Sequence, residues 1–345
     1  MRVLNTLPQD KLNDVAEAAR QIEAGGYDGV VTLENRHDPF LPLAIAATAS
    51  SSLSLQTGIA ISFSRSPMVA ANLGWDLQAA SNGRFVLGIG SQVKGHNVRR
   101  FSVPWSAPAP RMREYVQAVK AIWRCWKDGE QLDYQGNHYQ FTLMTPNFVP
   151  EPIDSRAPPV TIAAVGPAML KVAGEECDGA RLHPFCTRPY LEKVVLPKLE
   201  SGLAKSGRMR ENFQISGGGF IATGPDQQTV DEMFEWVRMR IGFYGSTPSY
   251  WPVLKLHGLE ELGHKLNHMS KNNLWEEMTG EISDDVVKLF CAVGTYETIG
   301  RAIEERFGGI SDVITSRAAS GPLELWPRDL LQDLQQIETR FKNFA

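Results

Sequence analysis

Residues 55–101 read LQTGIAISFSRSPMVAANLGWDLQAASNGRFVLGIGSQVKGHNVRRF, and their reading decides the fold. Leu55 to Ile61 is a short apolar run with β-branched residues, interrupted by Gly58. Pro67 opens a helix, because a proline at the first helical position gives up an amide that would be unpaired anyway. The Asn82-Gly83 pair stops that helix, since both residues tolerate positive φ. Arg84 then leads into FVLGIG, a second buried strand. Two apolar strands joined by one helix form a βαβ unit, which gives a parallel sheet covered on its faces. In a barrel or an open sheet of this kind, ligands sit at the carboxyl ends of the strands. Here those ends are Ile61-Ser62-Phe63 and Gly90-Ser91-Gln92.

The same rhythm runs outward from this unit. Before it come a run at Val3 to Leu7, a helix over 10–24 closed by Gly25-Gly26, a strand at Tyr27 to Leu33, and a helix beginning near Pro39. After it, Met112, Tyr115, Val116, Val119, Ile122, Trp123 and Trp126 give one broad apolar helix face, expected as core or as the interface of a homodimer. LDYQGNHYQF (132–141) reads as a hairpin around Gln135-Gly136-Asn137. Val160 to Val165 is a buried strand turning through Gly166-Pro167 into a helix, and ARLHPF is another. Phe213 to Thr223 reads as one further strand, with Val293 to Thr295 restarting the pattern and Thr295 capping the next helix. SDVITS (311–316) is the last strand. About eight strands result, in a single domain over 1–345 with insertions at about 129–158 and 226–290, the latter helical and expected to cover the mouth. At 345 residues the chain exceeds the roughly 250 typical of an eightfold β/α barrel.

Composition excludes several functions. A net charge of −4 argues against a general nucleic-acid binder. No run of 18 apolar residues suggests a membrane span, and the start lacks a signal-peptide pattern. Cys125, Cys177, Cys186 and Cys291 are scattered without a CxxC, as expected of reduced thiols in a cytoplasmic protein. Gly88 and Gly90 begin a GxG, but Val93 occupies the sixth position, so the dinucleotide fingerprint fails. Neither GxSxG nor a Walker loop is present. Glu34-x-x-His37 occurs once, with no HExxH, so no metal site is expected. His37, His96 and His183 each follow a strand, where proton-handling groups of barrels collect. Gly166-Pro167 opens a helix after a buried strand, a place suited to phosphate. Lys94, His96, Arg99 and Arg100 form a basic cluster that reads either as a solvated face or as a landing site for an anionic tail.

The stretches TGIAISFSRSPMVAANLGWDLQAASNGRFVLGIG, VTIAAVGPAMLKVAGEECDGA and VGTYETIGRAIEERF resemble the bacterial-luciferase-like family of flavin and deazaflavin oxidoreductases. GSQVKGHNVRRF, LMTPNF, LHPF and FYGSTPSY are similar to its F420-dependent subgroup. The resemblance implies a TIM (β/α)8 barrel with a non-prolyl cis peptide behind the cofactor ring, falling by position on Ala60-Ile61. It also implies that Ser62 and the fourth-strand loop Ser91-Gln92 lie beside the ring, and that Ala164, Val165, Gly166 and Pro167 form the phosphate turn. Many deazaflavin relatives carry Asp-His after the second strand, where this chain has Glu34-Asn35-Arg36-His37. The implied activity is F420-dependent hydride transfer with a small-molecule substrate. That departure leaves the acid or base open from the resemblance; from their place after strands, His37 is the expected proton donor or acceptor, with Glu34 orienting it and His183 nearby. The alternatives are an FMN-dependent monooxygenase using oxygen and a separate reductase, and a non-catalytic flavin-binding barrel subunit.

Overall fold

The apolar runs become strands of one closed sheet. The structure, a computed structural model, describes residues 1–316 and 323–344. Its strands are β1 (Arg2–Thr6), β2 (Gly29–Thr32), β3 (Ser54–Thr57), β4 (Ala60–Ile61), β5 (Phe85–Gly90), β6 (Tyr134–Gln135), β7 (Gln140–Phe141), β8 (Val160–Ala164), β9 (Gly179–Leu182), β10 (Gln214–Gly217), β11 (Phe220–Gly224), β12 (Cys291–Thr295) and β13 (Val313–Thr315). Parallel pairing runs β3-β2-β1-β13-β10-β9-β8-β5, and β3 pairs with β5 to close the ring. β4 continues β3 past a bulge and pairs Ala60 with Ile89 and Ile61 with Gly90. The result is an eight-stranded parallel barrel wrapped by helices, a TIM barrel.

The βαβ unit forms as its residues require. Ser66 caps the Pro67–Ala80 helix by accepting the Met68 N–H, with Pro67 at its start. Asn82 and Gly83 both take positive φ, 52° and 85°. Arg84 then binds the carbonyls of Ala47, Ser50, Leu53 and Ser81, so the arginine of SNGRF is a clasp between two αβ turns. The Pro108–Asp128 helix packs Trp126 edge-on against Trp75, with centroids 5.5 Å apart, and Trp123 donates to the Ala71 carbonyl. Trp123 and Trp126 are therefore buried inside one chain, and the expected subunit face is core.

Four expectations change. The run 213–223 is two strands, not one: Gly217 and Gly218 take φ of 77° and 100° and turn the chain out of the barrel. β11 then pairs in parallel with β12 in a separate two-stranded sheet, so Val293 to Thr295 does not return to the barrel. The helix after it is Ile299–Phe307, with Thr298 rather than Thr295 at its cap position. The non-prolyl cis peptide lies at Gly58-Ile59, not at Ala60-Ile61. A side chain at Gly58 would collide with Val31, which explains a glycine at the bulge.

One device recurs at the amino ends of the strands. Asp28, Asp178 and Asp312 stand just before β2, β9 and β13. Their backbone N–H groups donate to the carbonyls of Val3, Val160 and Ile215. Their carboxylates accept the N–H of the same three residues at 2.7, 2.8 and 2.7 Å. Arg210 pairs with Asp312 at 3.0 Å. Phe341 and Phe344 pack on Val86 of β5 at this end, and the Phe341 N–H donates to Asp312.

Candidate active site

The carboxyl ends of the strands open into a cavity of about 770 Å³. Thr6, Val31, Gly58, Arg181, Leu182, Gly217 and Thr315 form its floor, along the arc of the ring from the end of β3 through β2, β1, β13 and β10 to β9. Phe220, Ile221 and Thr223 of β11 form one wall. The Gln227–Gly245 helix adds Thr229, Glu232, Met233 and Trp236 to the lining. Such a volume and largely apolar lining suit a small organic ligand. A smaller hollow of about 210 Å³, lined by Lys120, Trp123, Arg156 and Asp178 among others, lies at the opposite, amino end of the barrel.

Few polar groups reach the cavity floor. Arg181 lies on β9 at a position paired with Ala163 and Ser216, so alternation along the strand turns it into the barrel. It crosses the interior and donates from Nη2 to Gln56 Oε1 at 3.0 Å. Its Nε is buried without a partner among the described residues, and the residue lines the cavity. Burial, with no neighbouring charge contributing, pulls Arg181 down to about 10, so it is still a cation at neutral pH. Thr223 Oγ1 and Ser316 Oγ also line the cavity and are buried without hydrogen-bond partners among the described residues.

The structure separates the three groups expected to handle protons together. Glu34 does not orient His37. Its Oε2 accepts the Ile61 N–H and an Arg65 N–H, both at 2.6 Å. Arg65 also donates to the Ile61 carbonyl and to Asp38. Burial works against the Arg65 charge, but the Glu34 and Asp38 carboxylates outweigh it and hold Arg65 above its ordinary range. Glu34 thus clamps β4 behind the bulge. His37 sits on the exposed loop after β2 with Nε2 3.6 Å from Asp10. His183 is packed between Tyr244 and Tyr250, with centroids at 4.3 and 4.7 Å. Its Nδ1 accepts the Phe185 N–H. Burial, helped by the Arg240 charge, pulls His183 down to about 3, so it stays neutral and cannot donate a proton as a cation near pH 7.

The expected cofactor residues form the neighbouring arc of the rim. Ala60 and Ile61 lie on β4, and Ser62 is buried with its hydroxyl on the Gly90 carbonyl at 2.9 Å. Ser91 accepts from the fully buried Asn97, which ties the Lys94–Arg99 helix to the end of β5, and Gln92 takes φ of 54°. Ala164 pairs with Leu182, a cavity residue. Val165 and Gly166 follow, and Pro167 starts a helix as expected. A Cβ at Gly166 would meet nothing within 4 Å, so space lies open over this helix start. Arg100 donates to the Asn35 carbonyl, so one member of the basic cluster ties two rim loops together.

The thiols take no part. Cys125, Cys177, Cys186 and Cys291 are all buried and free. Burial pushes Cys177, Cys186 and Cys291 up to about 12. No cluster of three metal-ligating side chains occurs among the described residues, and no described helix is long and apolar enough to cross a membrane.

Comparison with known proteins now bears on this geometry. Residues 2–310 match the family model described as luciferase-like monooxygenase. The chain belongs to the luciferase-like monooxygenase family. An uncharacterised protein of Mycobacterium tuberculosis is 46% identical over 303 residues, covering 88% of this chain and 89% of that protein. The 5,10-methylenetetrahydromethanopterin reductase of Archaeoglobus fulgidus is 26% identical over 318 residues, covering 89% and 90%. Among solved structures, the coenzyme F420 dependent tetrahydromethanopterin reductase of Methanopyrus kandleri superposes with a TM-score of 0.75 at 21% identity, covering 97% of each chain. Luciferase-like family membership makes this chain an oxidoreductase-type enzyme acting on a small molecule, with a flavin or deazaflavin as the plausible cofactor.

Proposed function

We propose that this chain is an F420-dependent oxidoreductase that passes a hydride between the deazaflavin C5 and a small organic substrate. The observation that carries the reading is the arrangement at the mouth: a large cavity whose floor includes Gly58 of the bulge, with an open helix start at Gly166 on the next arc of the rim. The residues suit such a cofactor. A flat ring has a side-chain-free wall at Gly58, and a phosphate has exposed backbone at the first turn of the Pro167–Glu176 helix. The reductases of Archaeoglobus and Methanopyrus support F420 as the choice, and the exposed Lys94 and Arg99 suit an anionic tail.

A bound deazaflavin supplies a two-electron carrier that activates oxygen poorly. The chain supplies the rest. Ile61, held by Glu34 and Arg65, fixes the backbone behind the ring. The roof of β11 and the Gln227–Gly245 helix screens the cavity from water. We assign proton transfer to His37, beside Asp10 on the loop that starts at the cavity residue Leu33. Once a substrate is known, His37→Ala is expected to slow turnover by at least about tenfold; unchanged turnover removes the assignment.

Side-by-side fluorescence titration of the purified protein with F420 and with FMN tests the reading. Saturable micromolar F420 binding with much weaker FMN binding is expected. The reverse preference would favour an oxygen-using flavin monooxygenase. Tight binding of either without reduction by any donor would favour a non-catalytic barrel subunit.

A further inference from the structure

We propose that Arg181 is an anion-binding residue at the cavity floor, and that the substrate of this enzyme carries a carboxylate that it receives. The proposal deepens the oxidoreductase reading and rests on it for the word substrate. Two buried arginines show the contrast behind it. Arg306 donates to the carbonyls of Leu289, Cys186 and Gly218, and so stitches β10 and the roof to the helix that carries it; only its Nε is left over. Arg181 has one hydrogen bond among the described residues, to a neutral amide. An unpaired guanidinium held away from water is costly. The barrel interior holds Leu4, Val31 and Val313 with the neutral amides of Gln56 and Gln214, and no carboxylate there pairs with it among the described residues.

Position supplies the second argument. Arg181 borders the open cavity, and a Cβ at Gly58 would lie 3.0 Å from its guanidinium carbon. The cation therefore lies against the bulge, at the base of the space available to ligands. Glu232 and Glu324 also line the cavity, but both are exposed and belong to its solvent rim. Thr223 and Ser316 offer two more buried hydroxyls without partners among the described residues. A planar carboxylate accepts two parallel N–H bonds from one guanidinium, and a hydroxyl within reach can donate to it as well. A neutral amide of the same shape cannot match the charge.

The test uses benzoate and its neutral isostere benzamide as probes on the purified full chain, read by ligand-observed NMR. Benzoate is expected to bind saturably and benzamide at least tenfold more weakly. Arg181→Gln should lose benzoate binding by at least tenfold, and Arg181→Lys should retain part of it. F420 and FMN affinities of both variants should stay within threefold of the parent. Arg181→Met should melt no lower than the parent, because it removes a costly buried charge whose one hydrogen bond among the described residues is to the neutral Gln56 amide. Equal binding of the two probes, or benzoate binding that survives Arg181→Gln, overturns the proposal. Loss of F420 or FMN affinity with benzoate binding intact also overturns it, since the anion would then belong to the cofactor. If neither cofactor binds the parent but benzoate still binds through Arg181, the anion site stands and the oxidoreductase reading falls.

Discussion

Asp28, Asp178 and Asp312 each sit before a strand at the amino end of the barrel and each grips the backbone of a neighbouring strand. At the carboxyl end Arg181, Thr223 and Ser316 bring buried polar atoms to a cavity with no partner for them among the described residues. The amino end is closed by charge-to-backbone bonds and by the Phe341–Phe344 plug. The carboxyl end is fixed at its edge by the Glu34–Arg65 clamp and left open at its centre. The division is not complete: inside the barrel Gln214 has a partner at neither end of its amide, and at the amino end the Arg210 Nε is buried without one, among the described residues. The division suggests that residues at one end maintain closure of the ring, and residues at the other await a ligand.

Removing Asp312 would test that division most severely. Its carboxylate accepts the Ile215 and Phe341 N–H groups and pairs with Arg210. Asp312→Ala leaves the Arg210 charge buried and uncompensated, and should cost about 3–5 kcal/mol in urea unfolding. A loss below about 1 kcal/mol would remove the amino end from its structural role.

Acid should reveal a more gradual effect at the other end. His183 titrates at about 3 in the native chain against an ordinary value of 6.5. Between those values the unfolded chain binds the extra proton, so stability falls as the pH drops. The slope from this group is at most about 1.4 kcal/mol per pH unit. His183→Asn keeps an acceptor for the Phe185 N–H but does not titrate. Its stability should decline less steeply than the parent's below about pH 6.5, and identical curves would place His183 in a solvated site. The smallest effect belongs to Arg181→Met, for which no loss of melting temperature is expected. A loss as large as that of Asp312→Ala would erase the contrast between the two ends.

The βαβ unit was legible because its punctuation is local: Ser66-Pro67 starts the helix and Asn82-Gly83 ends it. The strand at 213–223 was not, because an apolar run does not say which sheet it joins, and the departure lies in the φ of Gly217 and Gly218. The bulge was expected two residues late, since position along a strand does not reveal where Val31 crowds it. Sequence reasoning singled out His183 in ARLHPF and passed over Arg181. A charge inside a short apolar strand was the available signal. Glu34 and His37 stood near each other in sequence, but Arg65 and Asp10 took them as separate partners.

The four buried cysteines give the molecule a built-in record of its own breathing. Thiols shielded in the native state react with an alkylating reagent only when the surrounding structure opens. Cys177 marks the closed end, just before Asp178, whereas Cys186 follows β9 and Cys291 begins β12 in the roof. The order in which they become labelled would therefore show whether the barrel loosens from its roof inward or from its plug outward.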